Sequence, residues 1–233
     1  LTILCNDLRI AAELSANTDH TIYCIGGAVK KDDMITTGFL ATDFLEYFSH
    51  IDLTILSIVL AACQFVTHLA TAFWFPEQLY VVSPVAGMTA LIMMRWSGWA
   101  AIPAVLGGIL FAALSGGNAA HFLIYGLGNL ASLGGLVLFR LWDKEQIRKD
   151  SFRAVVFAIA VQLLMQLGRA ALAAALGNGA AACIGFITTD VLSILFTVLI
   201  IWTVRRIEGL FEDQKHYLLR IQKERQVERR EQF

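Results

Sequence analysis

The stretches AVVFAIAVQLLMQLGRAALAAAL (154–176) and AAACIGFITTDVLSILFTVLIIWTV (180–204) decide how this chain folds. Each is as long as the roughly 20 apolar residues that a helix needs to cross a bilayer. Each also carries an ionisable side chain well inside, Arg169 in the first and Asp190 in the second. A charge at that depth costs about 2.5–3.5 kcal/mol on insertion scales, so it usually has a partner. Because both lie at similar distances from the turn at 177–179, we expect an Arg169–Asp190 pair in the outer half of a membrane domain.

The composition as a whole favours an integral membrane protein that is mainly α-helical. Of the 233 residues, 57% are hydrophobic and 16% are charged, whereas a soluble domain carries about 25% charged residues. The mean hydropathy is +0.64. We expect a six-helix transmembrane bundle at 54–204, with the lipid bilayer as its main partner. Its predicted spans are 54–74, 79–94, 98–114, 119–140, 154–176 and 180–204.

The cations in the connections predict how the bundle is oriented. Arg95 lies between the second and third spans, five cations lie at 140–153, and Arg205 and Arg206 follow the sixth span. The connections at 75–78, 115–118 and 177–179 contain no Lys or Arg. The positive-inside rule therefore predicts a multi-pass protein of the plasma membrane with both termini in the cytoplasm.

The first 53 residues follow a different pattern. The β-type runs LTILC (1–5), HTIYCI (20–25) and IDLTILS (51–57) alternate with amphipathic helical patterns at 6–16 and 39–48. This alternation predicts a small, incomplete α/β fragment of β-α-β-α order ahead of the bundle.

The motifs LTILCNDLRIAAEL, TIYCIGG and FLATDFLEYFSHIDLTILS within 1–57 resemble the effector-sensing domain of the DeoR family of sugar-responsive repressors. The resemblance implies that Asn6, Gly26 and Gly27 line a sugar-phosphate pocket. The family's DNA-reading helices and the rest of its pocket are absent from the sequence, so we expect no nucleic-acid partner. Part of one sheet buries too little surface to be stable alone, so we expect 1–53 to be a non-functional fragment, joined to the bundle near 52–58.

Polar residues inside the apolar spans are the candidates for ligand binding. We single out His121, Asn129 and Gln166 together with Arg169 and Asp190 as the set that would converge on a small molecule. The alternative role of such residues is hydrogen bonding between helices. The four cysteines are scattered, and the sequence has no metal-ligand spacing, phosphate-binding loop or catalytic constellation. We therefore expect no metal, no cofactor and no enzymatic activity.

Two cytoplasmic segments are candidates for contact with a partner. Residues 205–233 are highly charged, with apolar residues near coiled-coil spacing, which predicts a cytoplasmic amphipathic helix continuing from the sixth span. The polar connection 141–153 faces the same side. Together they would dock an energising or a signalling module.

Two functions fit these features, and a third is open. The six spans, with RWSGWAAIPAVLGGILFAALSGG and YGLGNL, resemble the S component of energy-coupling-factor importers, which implies a transport subunit capturing a small ligand from outside. Ser83-Pro84, Gly87 and the charged tail resemble bacterial membrane sensor domains that precede histidine kinases or diguanylate cyclases. Transport is the first interpretation and sensing the alternative; a DeoR-type regulator fragment fused to a membrane protein is the third.

Overall fold

The protein is mainly helical and divides into two units, Leu1–Asp52 and Leu53–Phe233. A computed structural model describes its backbone over most of the chain and its side chains from Ser49 onward. The described residues are 3–5, 22–24, 27–30, 33–36, 39–74, 82–207, 209–214, 217 and 220.

The first unit contains a small sheet of four short strands in the order β1-β2-β3-β4. Its strands are β1 Ile3–Cys5, β2 Ile22–Cys24, β3 Gly27–Lys30 and β4 Asp33–Thr36. β1 and β2 pair in parallel, whereas β3 pairs antiparallel with both β2 and β4. The first two strands match the expected β-runs, but β3 and β4 were not expected, and the helix expected at 6–16 lies outside the described residues. The β-α-β-α order is therefore not confirmed.

The third strand expected at 51–57 is wrong, because this segment belongs to a long helix. That helix, α1, runs from Phe39 to Trp74 and includes the helix expected at 39–48. A short apolar run fits a strand or a buried helix equally well, and here the apolar pattern continues for many residues. From Leu53 onward, α1 buries a stripe at helical spacing that ends in Gln64. The stripe consists of Leu53, Leu56, Leu60 and Gln64.

Five helical stretches of the described chain are long and apolar enough to cross a membrane. The six crossings expected from the sequence are not confirmed, because most of the segment 79–94 and all of 98–114 belong to one apolar stretch, Val85–Leu114. The five stretches are Ser49–Trp74, Val85–Leu114, Ala119–Leu141, Ser151–Ala175 and Ala180–Val204.

The stretch Val85–Leu114 is broken into two helices that fold back on each other. Helix α2 covers Val85–Trp96, a 3₁₀ turn covers Ser97–Ala100, and helix α3 covers Ala101–Leu114. Ser97 has a positive φ of 52° at the break. A Cβ built on Gly107 would lie 2.9 Å from Val85 Cγ1, although a straight helix would place these residues about 33 Å apart. At about 18 Å, α2 is shorter than the roughly 30 Å hydrocarbon core.

The remaining helices complete the second unit around the 25-residue helix Ser151–Ala175. In chain order they are α4 Ala119–Gly128, a 3₁₀ segment Asn129–Val137, α5 Leu138–Leu141, α6 Lys144–Lys149, α7 Ser151–Ala175, α8 Ala180–Thr188 and α9 Val191–Val204. The sixth expected span is thus interrupted between Thr188 and Val191.

Helix α7 packs against α4, the following 3₁₀ segment, α8 and α9. Glycines allow the closest approaches. A Cβ built on Gly168 would collide with the carbonyl group of Gly128, and one on Gly135 would lie 2.8 Å from Val161 Cγ2. Small residues are what lets helix backbones approach in lipid, where no hydrophobic force drives them together.

One end of the bundle gathers the cations of three separate connections, and we call it the cation-rich end (Arg95, Lys144, Arg148 and Arg205). Arg95 donates hydrogen bonds to the carbonyl oxygens of Gly209 and Leu210 at 2.7 and 3.0 Å. Lys144 Nζ lies 2.6 Å from Asp213 Oδ2. Arg148 lies 3.4 Å from Glu212 Oε2, and Arg205 contacts Ser151.

The prediction that the last span continues as a helix into 205–233 is wrong for the first residues of this segment. Helix α9 ends at Val204, and the described residues between 205 and 213 form turns and bends. Gly209 adopts a left-handed φ of 75°, which a helix does not accommodate. Helical structure returns at Gln214, Tyr217 and Arg220.

Candidate functional site

Two of the apolar stretches are interrupted in one region, a third begins there, and hydrogen bonds join the three places. Helix α2 begins only after Ser83-Pro84, α4 gives way to a nine-residue 3₁₀ segment at Asn129, and α8 and α9 meet at Asp190. Long 3₁₀ segments are uncommon and often mark a hinge or a functional position. Backbone groups freed by a break must find other partners when they lie within a membrane. The polar side chains of this region provide them.

The expected pair of charges lies at the centre of this region. Arg169 Nη1 is 3.1 Å from Asp190 Oδ2, and their side chains are only 3% and 4% exposed. Arg169 Nε also donates to Asn129 Oδ1 at 2.7 Å. Its guanidinium lies over the ring of Tyr125, 4.9 Å from the centroid. The arginine is therefore held by a carboxylate, an amide and an aromatic face together.

Asp190 is held by residues from one face of α7. Gln162 Nε2 donates to Asp190 Oδ2 at 3.0 Å, and Gln166 Nε2 donates to the Asp190 carbonyl oxygen at 3.3 Å. Thr197 of α9 donates in turn to Gln162 Oε1 at 3.1 Å. Gln162, Gln166 and Arg169 share a face because they are spaced by four and three residues along a helix. The structure thus brings Gln166 to the pair, as expected.

Asn129 joins the pair to α3. Its Nδ2 donates to the carbonyl oxygen of Ala104 at 2.9 Å. A Cβ built on Gly108 would lie 2.6 Å from Asn129 Nδ2 and would collide with the carbonyl group of Tyr125. Glycine at position 108 is thus required for Asn129 to reach both Ala104 and Arg169.

His121 does not join the buried charges, although the sequence placed it at their depth. It is exposed and caps the start of α4: its backbone N–H donates to Asn118 Oδ1 at 3.1 Å, and its Nδ1 accepts from the Asn118 N–H at 3.3 Å. Its ring centroid lies 6.4 Å from that of Tyr125, whose ring in turn contacts Arg169. His121 is held at the start of α4 by its role in capping that helix. Its depth within the span did not predict this role.

The residues expected from the sugar-phosphate resemblance lie in the first unit. Asn6 and Gly26 lie outside the described residues. Gly27 is the first residue of β3 and pairs with Cys24 on β2 and with Thr36 on β4.

Sequence reasoning did not select Gln64, Ser83 and Ser193, which extend the site across the bundle to α1. The Ser83 N–H donates to Ser193 Oγ at 2.9 Å, and Ser83 Oγ donates to Gln64 Oε1 at 3.0 Å. Gln64 gave a signal in the sequence, because it is a polar residue inside an apolar span. We call the whole set the buried polar cluster: Gln64, Ser83, Asn129, Gln162, Gln166, Arg169, Asp190, Ser193 and Thr197.

Three polar atoms of the buried polar cluster remain unsatisfied. Gln64 Nε2, Gln166 Oε1 and Asp190 Oδ1 have no hydrogen-bond partner within the described part of the chain. Each such atom costs about 1–3 kcal/mol when it is buried. Buried polar atoms without partners are rare enough in native proteins that a functional role, a water or a bound ion is the usual explanation.

The cluster offers hydrogen bonding and charge rather than metal coordination. Among the residues for which the structure gives coordinates, no group of three or more His, Cys, Asp or Glu side chains could hold a metal ion. No family model matches the chain, and no curated protein or solved structure matches it. The geometry of the buried polar cluster and of the cation-rich end is therefore what bears on function.

Proposed function

We propose that this chain is the membrane-embedded input part of a signalling protein. In this proposal the buried polar cluster responds to a small ligand, and the cation-rich end passes the response to the tail that follows α9. The observation that carries the proposal is the way in which the start of this tail is held against the cation-rich end.

The segment 209–214 is fixed by burial and charge together. Phe211 is fully buried, and Glu212 and Gln214 are 6% and 2% exposed. Glu212 pairs with Arg148, and its Oε1 is 3.3 Å from Arg220 Nη2. Surface ion pairs contribute little, but a largely buried carboxylate with two arginine partners is costly to release. A tail held in this way suits the transmission of a change better than a loose attachment would.

Two helices connect the buried polar cluster to this segment. Helix α2 starts beside Ser83, and Arg95 in its last turn binds the carbonyl oxygens of Gly209 and Leu210. Helix α9 starts at Asp190 and leads directly into the tail. A change at the starts of α2 and α9 would therefore reach 209–214 through two rigid elements, as in transitions carried by helix shifts.

The same arrangement supports a place in the plasma membrane, with the cation-rich end in the cytoplasm. Five helices of sufficient length and apolar character support the multi-pass assignment. The gathering of cations from three connections at one end supports the orientation, because Lys and Arg are in excess in cytoplasmic loops. Trp142 and Trp202 lie close to Arg153 and Arg205 at this end, as aromatic residues of an interface do.

A transport subunit is the second candidate, favoured by the broken helices. Transporters bind substrates near the membrane midplane, where discontinuous helices place free backbone groups and half-helix ends. The starts of α2 and α9 and the unsatisfied atoms of the buried polar cluster fit that pattern. In this alternative, α6 and the segment 209–214 would dock a cytoplasmic energising module.

Hydrogen exchange in lipid nanodiscs tests the proposed coupling. We expect Asp190→Asn to increase amide exchange severalfold in 209–214 as well as around the substitution. The reason is that loss of the ion pair with Arg169 would disturb the buried polar cluster and shift α2 and α9. Thr188→Val is the matched control. Thr188 is two residues away and exposed, and its hydroxyl donates to the Ile184 carbonyl oxygen of its own helix, so this substitution should leave the segment unchanged. Exchange confined to the neighbourhood of Asp190 would contradict the signalling role.

The genomic reading frame past Phe233 separates the two candidates. A kinase or cyclase domain in frame would support the input role. A stop codon beside genes for ATPase subunits would support transport instead.

A further inference from the structure

A second site lies at the start of α2, and we propose that it binds a small anionic group beside Gln64. The group is either a free monovalent anion or the carboxylate of an organic ligand, which share the same chemistry. This inference goes beyond the proposed function and does not depend on it.

Helices α2 and α9 run side by side in the same direction, and α2 starts further along than α9 does. The Ser83 N–H, two residues before α2, donates to Ser193 Oγ at 2.9 Å. A Cβ built on Gly87, in the first turn of α2, would lie 2.8 Å from Ile200 Cδ1, in the third turn of α9. At the far end, Arg95 reaches the residues that follow α9. The start of α2 therefore lies inside the bundle, against the side of α9.

The start of α2 leaves backbone donors available. Val85 N–H donates to Ser83 Oγ at 3.4 Å, and Met88 is the first residue of α2 whose N–H reaches a carbonyl oxygen of its own turn, that of Pro84 at 2.9 Å. The amides of Ala86 and Gly87 therefore have no acceptor in their own helix. The macrodipole of α2 adds partial positive charge at this point, which favours an anion.

Gln64 gives the independent indication that something binds here. Its side chain is fully buried, and its Oε1 accepts from Ser83 Oγ at 3.0 Å, which places the amide at the start of α2. The Nε2 of the same amide has no hydrogen-bond partner within the described ranges. This atom can only donate, so an acceptor is the group that it lacks.

The surrounding charges are compatible with an anion, and the burial restricts its size. The carboxylate of Asp190, the residue before α9, is already paired with Arg169 at 3.1 Å, so it does not cancel the field at the start of α2. Gln64, Ser83 and Ser193 are at most 3% exposed. Only a halide, a formate-sized anion or the carboxylate end of a larger ligand would fit among them.

Thermal unfolding of the full chain in nanodiscs of zwitterionic lipid tests this site. The chain is melted in sodium chloride, sodium formate and sodium gluconate at equal ionic strength, gluconate being too large to enter. We expect chloride or formate to raise the midpoint by several degrees over gluconate, because a ligand that binds only the folded state stabilises it. In Gln64→Leu this difference should disappear.

Two further variants keep the test decisive. Gln64→Glu retains the size of the side chain and supplies a fixed carboxylate, so it should fold and show no difference between anions, even if Gln64→Leu fails to fold. Thr89→Val is the control, because Thr89 is also buried in α2 with an unsatisfied hydroxyl, and it should keep the difference.

The outcomes separate the sources of the anionic group. Stabilisation by both chloride and formate supports a free monovalent anion, and stabilisation by formate alone supports the carboxylate of a ligand. Equal midpoints in all three salts would overturn the proposal in favour of water at Gln64. An anion effect that survives in Gln64→Glu would overturn it as well, because the anion would then bind elsewhere.

Discussion

Arg169 and Asp190 are tolerated in an apolar interior because each is held by several partners at once. Asn129 and the Tyr125 ring hold the guanidinium, and Gln162 holds the carboxylate. Removing one member of such a buried pair leaves an uncompensated charge, which costs about 3–5 kcal/mol. The pair therefore fixes α7 against α9 as long as both charges are present.

We expect a double-mutant cycle to show strong coupling between the two charges. Asp190→Asn should lower the free energy of unfolding by about 3 kcal/mol, and adding Arg169→Gln should recover at least about 1 kcal/mol of it. Reversible unfolding in mixed micelles measures both. Lys149→Gln is the control for loss of an exposed charge, since this side chain is 71% exposed. Strictly additive losses in the cycle would argue against the contact.

The sequence was sufficient to predict this pair but not its surroundings. Two lone charges in adjacent apolar segments stand out in any reading of the chain. Ser83 and Ser193 do not stand out, because their contacts depend on where α2 and α9 begin. His121 was expected near the two charges because it lies at a similar depth in the sequence. In the structure its ring instead caps the start of α4.

Close contact at Gly168 gives a second prediction at this scale. Gly168→Ala should destabilise the protein by about 1–3 kcal/mol, because the new Cβ would collide with the Gly128 carbonyl group and the Ala131 side chain. Gly185→Ala is the matched control on α8, where a Cβ would meet nothing within 4 Å. It should be neutral or stabilise by up to about 1 kcal/mol. Equal losses in the two variants would contradict the packing of α4 on α7.

Among the elements, the broken helices are what composition alone failed to predict. Hydropathy located the apolar stretches, and the short spans expected at 79–94 and 98–114 correspond broadly to α2 and α3. The break between α8 and α9 was missed, because the run 180–204 is apolar throughout except at Asp190. Near the start of the chain, two of the three β-type runs form strands. The third run, at 51–57, is helical, because it lies within the long apolar helix α1.

Cross-linking tests the parallel placement of α2 and α9. A Cβ built on Gly87 would lie 3.3 Å from Ile200 Cβ, close to the roughly 3.5–4.5 Å that a disulfide requires. In a chain whose native cysteines are replaced, Gly87→Cys with Ile200→Cys should cross-link rapidly in native membranes on mild oxidation. The control pairs Gly87→Cys with Leu195→Cys, whose position is 66% exposed on α9 and should not react. Equal yields from both pairs would contradict this arrangement.

At the scale of the whole molecule, charge and apolar character are separated along the bundle. Cations from three connections gather at one end, where Lys144 and Arg148 pair with Asp213 and Glu212, whereas the connections at 115–118 and 177–179 carry no charge. Within the cation-rich end, hydrogen bonds from Lys149 and Arg148 lower the pKa of Glu145, so this carboxylate stays ionised to lower pH than usual. Such a distribution gives the molecule two chemically different ends.

Sidedness of labelling is the most direct test of a membrane-spanning bundle with its cation-rich end in the cytoplasm. Single cysteines are placed at two exposed positions of a chain without its native cysteines, as Gln146→Cys and Asn178→Cys, and are treated with a membrane-impermeant maleimide. We expect the cysteine at 178 to be labelled in intact cells, and the one at 146 only after the membrane is permeabilised. Labelling of position 146 in intact cells, or equal labelling of both, would contradict this orientation.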